Sequence, residues 1–199
     1  MRNDAIAYNE KYWNNHADLW FGTTALPQYG VKFPTEDELK LFGNVTGKKM
    51  LEICCGSGHS LKYHAERNAG ELWGIDISQN QLDNAQKYLD ECGYAANLIC
   101  SSMEEMNLPQ CYFDYVYSIY GIGWTTDLQG TFNKIASCLK KMGYLFLAGI
   151  TRYIIALPFV ERMERICWMM AKWYLNQVTL MNLIIKCLCM IVKLFCVIV

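Results

Sequence analysis

Short apolar runs and amphipathic stretches alternate along the first three quarters of the chain. Residues 5–20 carry Tyr8, Tyr12, Trp13 and Trp20 at helical spacing, which predicts an amphipathic helix. A loop follows, punctuated by Pro27, Gly30 and Pro34. Thr35 with Glu38 fits a capping box that opens a short helix to about Phe42. The run KKMLEICC predicts a buried strand entering the turn GSG, with a helix over residues 59–68 behind it. ELWGIDIS is a second strand, and Ser78 caps a helix over residues 79–91. AANLIC and YFDYVYSIY are the third and fourth strands, residues 127–139 a helix, and YLFLAG the start of a fifth strand. Strands alternating with helices of this length predict an α/β fold whose sheet is mainly parallel, with helices on both faces.

The last quarter breaks the pattern. All 14 glycines lie at or before Gly149, no Asp follows Asp127, and after Thr151 only Glu161 and Glu164 remain as acids. The chain therefore divides into a domain over 1–148 and an atypical apolar helical tail over 149–199. Hairpin turns favour Gly, Asn or Asp, and between Thr151 and Val199 only Asn176 and Asn182 of these occur. The expectation is a sheet left incomplete after its fifth strand.

Composition narrows the function classes. Hydrophobic residues make up 53% and charged residues 19% of the 199 residues, which excludes a disordered chain. A net charge of −1 gives no general attraction to nucleic acid, so no nucleic-acid partner is expected. The ten cysteines show no zinc-site spacing, and the N-terminus has no apolar signal run. Reduced thiols of a cytoplasmic protein with no metal site are the reading.

The chemistry sits at the ends of the first two strands. Glu52-Ile53-Cys54-Cys55-Gly56-Ser57-Gly58 places two glycines where backbone approaches a ligand, next to a helix N-terminus. Asp76 ends the next strand, where a carboxylate accepts hydrogen bonds from both hydroxyls of a ribose. A dinucleotide site has a similar outline. Leu61, however, stands at the third glycine position, and Glu52 would repel a pyrophosphate while suiting the ammonium of an amino-acid-like ligand.

This combination resembles the class I S-adenosylmethionine-dependent methyltransferases, in particular a small bacterial branch. The family's acid-x-Gly-x-Gly-x-Gly word reads here E-I-C-C-G-S-G, with Cys54 in place of the first glycine. GIDIS, SSMEEMNLP and FDYVYSIYGIGW match the family's ribose, adenine and fourth-strand segments, and the resemblance covers about residues 40–147. It implies a Rossmann-like class I methyltransferase sheet and S-adenosyl-L-methionine as cofactor. The implied cofactor site is Glu52, Cys54, Gly56, Gly58, Asp76, Ile77, Ser102, Met103, Glu104 and Tyr117, with Trp20 and Tyr29 of the N-terminal cap over it. Tyr120, in the loop after the fourth strand, is a possible substrate contact; no catalytic residue is assigned. The implied reaction is methyl transfer to a small-molecule acceptor. A non-catalytic cofactor-binding remnant is the alternative, because the sheet is short. Of the remaining candidates, Met103 also reads as plain core, Cys54 and Cys55 as small buried residues, and His59 and His64 as helix-surface residues.

The tail has two readings. Residues 178–199 are long and apolar enough for a membrane helix, which would tether the protein, although Lys186 and Lys193 lie inside it. Alternatively the C-terminus is frame-shifted. The codons of Lys140-Lys141-Met142 hold a potential adenine run, and restoring one lost adenine permits K-K-N-G-I-F-I-F-S-W-D-H-S, a strand followed by a polar loop. Reading the DNA there separates the two.

Overall fold

The computed structural model describes residues 4–30, 33–148 and, as backbone, 154–158. In chain order the elements are α1 (Asp4–Asn15), α2 (Glu36–Leu39), β1 (Lys49–Ile53), α3 (His59–Ala65), β2 (Glu71–Asp76), α4 (Gln79–Glu91), β3 (Asn97–Cys100), β4 (Phe113–Ile119), a short 3-10 turn (Ile122–Trp124), α5 (Leu128–Cys138), β5 (Leu139–Ala148) and β6 (Ile154–Pro158). The sheet order is β3-β2-β1-β4-β5-β6. The first five strands are parallel, as the alternating pattern requires, and the architecture is Rossmann-like.

Neighbouring residues of each strand point to opposite faces, and both faces are covered. Met50, Tyr115, Tyr117 and Phe146 belong to one core, while Leu51, Ile53, Val116 and Leu145 belong to the other. That is why the strands read as continuous apolar runs rather than alternating ones.

Three helices end earlier than their sequence pattern suggests, and polar side chains are engaged at two of these ends. α1 ends at Asn15, where the Asn14 side chain ties it to α4: its Oδ1 accepts from Ser78 Oγ and from the Asn80 N–H. α2 stops at Leu39 because Lys40 turns left-handed, at φ 52°, and the buried Glu36 carboxylate takes the N–H groups of Leu41 and Phe42. α3 stops at Ala65, with Asn68 at φ 59° closing the turn. α4 has the predicted bounds, because the Ser78 hydroxyl accepts the Gln81 N–H at 3.1 Å.

The sheet does not end after its fifth strand. β6 pairs antiparallel with β5, from Tyr144↔Pro158 to Ala148↔Ile154. The expectation of an incomplete sheet, with nothing but helices after residue 149, is corrected to that extent. It rested on the missing turn residues. The outer edge of β5 presents unpaired N–H and C=O groups, and a segment rich in β-branched and apolar residues satisfies them. Residues 159–199 lie outside the described residues, and the expectations of an apolar helical tail and of a membrane helix fall there. Among the described residues no helix is long and apolar enough to cross a membrane. Residues 144–147 are apolar or aromatic in either reading frame, so the middle of the strand does not separate the frames.

Candidate functional site

The carboxyl ends of β1, β2 and β4 open into one cavity of about 240 Å³. This is the position that a parallel sheet offers at its topological switch point. β1 delivers Glu52 and the turn after it, and Cys54, Gly56 and Gly58 there have φ of 60°, 51° and 77°. Glycine adopts this left-handed backbone at no steric cost. Cys54 does not, so the missing first glycine of the motif is a strained position. We expect Cys54→Gly to raise stability by roughly 1 kcal/mol, read as a higher urea midpoint; an unchanged or lower midpoint would show that the Cys54 packing against Gly121 outweighs the strain.

The third glycine of the dinucleotide pattern is also accounted for. Leu61 is fully buried and packs where Gly74 of β2 leaves room; a Cβ on Gly74 would lie 2.9 Å from Leu61 Cδ1. The space has moved from the helix to the neighbouring strand.

Asp76 is buried and holds the glycine turn directly. Its Oδ2 accepts the Gly56 N–H and its Oδ1 the Ser78 N–H, each at 2.9 Å. Burial pushes its carboxyl above the usual range, opposed by the backbone N–H groups of Ser78, Gly56 and Ile77. Glu52 is pushed up more strongly by burial, against the hydroxyls of Ser60 and Tyr117, with the Asp76 charge adding to the rise. Among the described residues no Lys or Arg lines the cavity. Two carboxylates held apart from any cation provide a site for a ligand that brings its own positive charge.

The N-terminal segment closes the cavity from above. Ile6, Asn9 and Trp13 line it from one face of α1, and Trp20 lines it from the turn beyond. This face differs from the one the aromatic spacing suggested, since Tyr8 is 70% exposed. The cap is pinned at several points. Asn80 Nδ2 donates to the Asn14 carbonyl at 2.9 Å, the Gly22 N–H to Ser57 Oγ at 3.1 Å, and the Leu26 N–H to Ser60 Oγ at 3.1 Å.

Of the sequence candidates, Glu52, Cys54, Gly56, Asp76, Ile77 and Trp20 line the cavity, as do Ser102, Met103, Glu104 and Tyr120. Gly58, Tyr29 and Tyr117 do not. Gly58 caps α3, and a Cβ there would meet Ala85 at 3.1 Å. The Tyr29 hydroxyl is turned away to Glu36 Oε2 at 2.8 Å, and Tyr117 is fully buried behind Glu52, its hydroxyl 3.4 Å from Oε2. Both support the wall from behind. Tyr120 is in place, but its hydroxyl donates to the Tyr29 carbonyl at 2.7 Å. Glu104 Oε1 is taken up by the Thr126 N–H at 2.6 Å and the Thr125 hydroxyl at 2.9 Å, so it ties down the loop after β4.

The two histidines are not surface residues. His59 lines the cavity, stacked on Tyr88 at 4.0 Å between centroids, with Nδ1 3.1 Å from Ser57 Oγ. His64 is fully buried among Phe42, Tyr63 and Tyr117. Helical periodicity did not reveal this, because neighbours from the cap and from β4 close over α3.

Sequence reasoning also missed Gln81. It sits one turn into α4, and helix side chains lean toward the N-terminus, so its amide reaches back over the glycine turn. Its Oε1 and the Trp20 Nε1 are buried in the cavity wall without a hydrogen-bond partner among the described residues. An orphaned acceptor, an orphaned donor and a buried acid pair fit a ligand with hydroxyls, a carboxylate and positive charge, which S-adenosylmethionine carries.

Comparison with known proteins points the same way. Residues 50–143 match a family described as a methyltransferase domain. The ubiquinone biosynthesis O-methyltransferase of Rhodopseudomonas palustris is 27% identical over 117 residues, covering 59% of this chain and 46% of that protein. The demethylmenaquinone methyltransferase of a Geobacillus species is 29% identical over 111 residues, covering 54% and 47%. Among solved structures, the geranyl diphosphate C-methyltransferase of Streptomyces coelicolor, in complex with geranyl diphosphate and S-adenosylhomocysteine, superimposes with a TM-score of 0.58. It covers 73% of this chain and 64% of that one at 16% identity, a likeness of fold. The chain spans about half the length of the curated relatives it matches.

Proposed function

We propose, from the match of residues 50–143 to a methyltransferase domain and from the geometry of the cavity, that this chain is a class I S-adenosylmethionine-dependent methyltransferase that transfers a methyl group from that cofactor to a small-molecule acceptor. The observation that carries the reading is Asp76, which holds the Gly56 turn in shape from the end of β2. The cofactor supplies an activated methyl group with its own leaving group, so the chain's task is to bind, orient and exclude water. On this reading Asp76 receives the ribose hydroxyls, Glu52 faces the ammonium group, and Gln81 with the Trp20 indole N–H offers the remaining polar contacts. Ser102 and Met103 flank the adenine. The capping helix shields the methyl group from water.

Calorimetric titration of the 199-residue chain with S-adenosylhomocysteine tests the cofactor half. Saturable binding with a Kd of roughly 100 µM or tighter is the expected result, about 5.5 kcal/mol of binding. No heat at millimolar ligand would sink the reading. Binding without transfer to any acceptor tried would favour a cofactor-binding remnant.

A further inference from the structure

The cavity has a second half that the cofactor residues do not account for. Around its α1 side stand Trp13 and Trp124, with Ile6 and Tyr120, next to the cofactor-side Trp20. The Trp13 ring packs edge-on against Trp124 at 5.3 Å and tilted against Trp20 at 5.7 Å. Asn9 Nδ2 donates to the Trp124 carbonyl at 3.2 Å and so fastens α1 to the loop after β4. Trp124 is still 42% exposed, which places it at the mouth. From this wall we infer that the methyl acceptor is an uncharged molecule with a flat aromatic ring, packed against the indole wall that Trp13 and Trp124 form together. The inference rests on the methyltransferase reading above.

Charge excludes the other classes. An anionic acceptor, such as a phosphate or carboxylate compound, would face Glu52, Asp76 and Glu104 with no Lys or Arg among the described lining residues. A cationic amine fares no better. Glu104 is held by Thr125 and Thr126, and on the reading above Glu52 and Asp76 are engaged by the cofactor. The amine would also approach a methyl group borne on a sulfonium, a like charge at close range. On the α1 side the Tyr120 hydroxyl and an Asn9 amide N–H are already bonded, so the contact offered there is chiefly aromatic. Indole faces bind a planar ring through its apolar area and by offset or edge-to-face packing.

The test uses the full chain and three probes: 2-naphthol as the neutral aromatic, phosphoethanolamine as the anion-bearing one, and putrescine as the cation. Each is titrated calorimetrically with and without S-adenosylhomocysteine, on the parent and on Trp124→Ala. Trp124 is partly exposed, so its loss leaves the core intact. We expect 2-naphthol to bind, to bind at least tenfold more weakly to Trp124→Ala, and the other two probes to give no heat. Binding of phosphoethanolamine or putrescine in preference to 2-naphthol overturns the inference, as does a Trp124→Ala variant that binds 2-naphthol as the parent does. Failure of the underlying reading is distinct: there the parent gives no heat with S-adenosylhomocysteine itself, and the acceptor assignment falls with it.

Discussion

Asp76→Ala should weaken S-adenosylhomocysteine binding by at least about 100-fold, roughly 3 kcal/mol or more, because three functions end together. On the proposed reading the ribose loses its acceptor. The Gly56 N–H and the Ser78 N–H, both bonded to this carboxylate at 2.9 Å, lose theirs. The turn that brings the backbone to the ligand is then free to relax. Hydrogen bonds to a charged group contribute about 1.5–3 kcal/mol each, so two backbone bonds and one ligand contact exceed a single contact residue. Asp76→Asn keeps an acceptor for one N–H and should lie between variant and parent. The check is calorimetric titration alongside a thermal melt. A variant that melts like the parent and binds with the parent's Kd would refute the role.

The second large effect is on stability and concerns His64. Its ring is fully buried, and neither nitrogen has a partner among the described residues. Burial, with the nearby Arg67 charge, lowers its pKa from the model-compound value of 6.5 to about 3. In the unfolded chain the imidazole protonates near pH 6.5, but in the folded chain only near pH 3, so between these values the unfolded state binds the extra proton. The penalty is therefore absent above pH 6.5 and grows as pH falls toward 3. Across the whole window it amounts to about 5 kcal/mol, from about 1.36 kcal/mol per pH unit.

Glu52, whose pKa is raised by burial, acts in the opposite direction over its own window above the usual carboxylate range. The comparison that isolates His64 is the parent against His64→Phe. The variant's denaturation midpoint should be flatter between pH 6.5 and 4, and the variant should be the more stable of the two at pH 4.5. Parallel pH profiles for the two chains would show that the imidazole is not buried as described.

Much of the fold was legible from the chain alone. The order of strands and helices, the α4 boundaries set by Ser78, and the parallel sheet follow from local periods and caps, which are properties of near neighbours in sequence. Glu52 and Asp76 were legible for the same reason: each stands at the end of an apolar run, and a parallel sheet brings such ends together. What only the tertiary structure decided depends on residues far apart in sequence. The end of α1 is tied to α4 through Asn14, across 64 residues of sequence. Tyr29 is drawn away from the cavity by Glu36, and Tyr120 bonds the Tyr29 carbonyl across 91 positions. His64 looks amphipathic on its helix and is buried only because Phe42 and Tyr117 close over it. β6 joins β5 because an open backbone edge accepts a strand whether or not turn residues announce it. Periodicity records which face of an element is apolar; it does not record which distant group will meet that face, and at this site those distant groups decide which side chains reach the ligand.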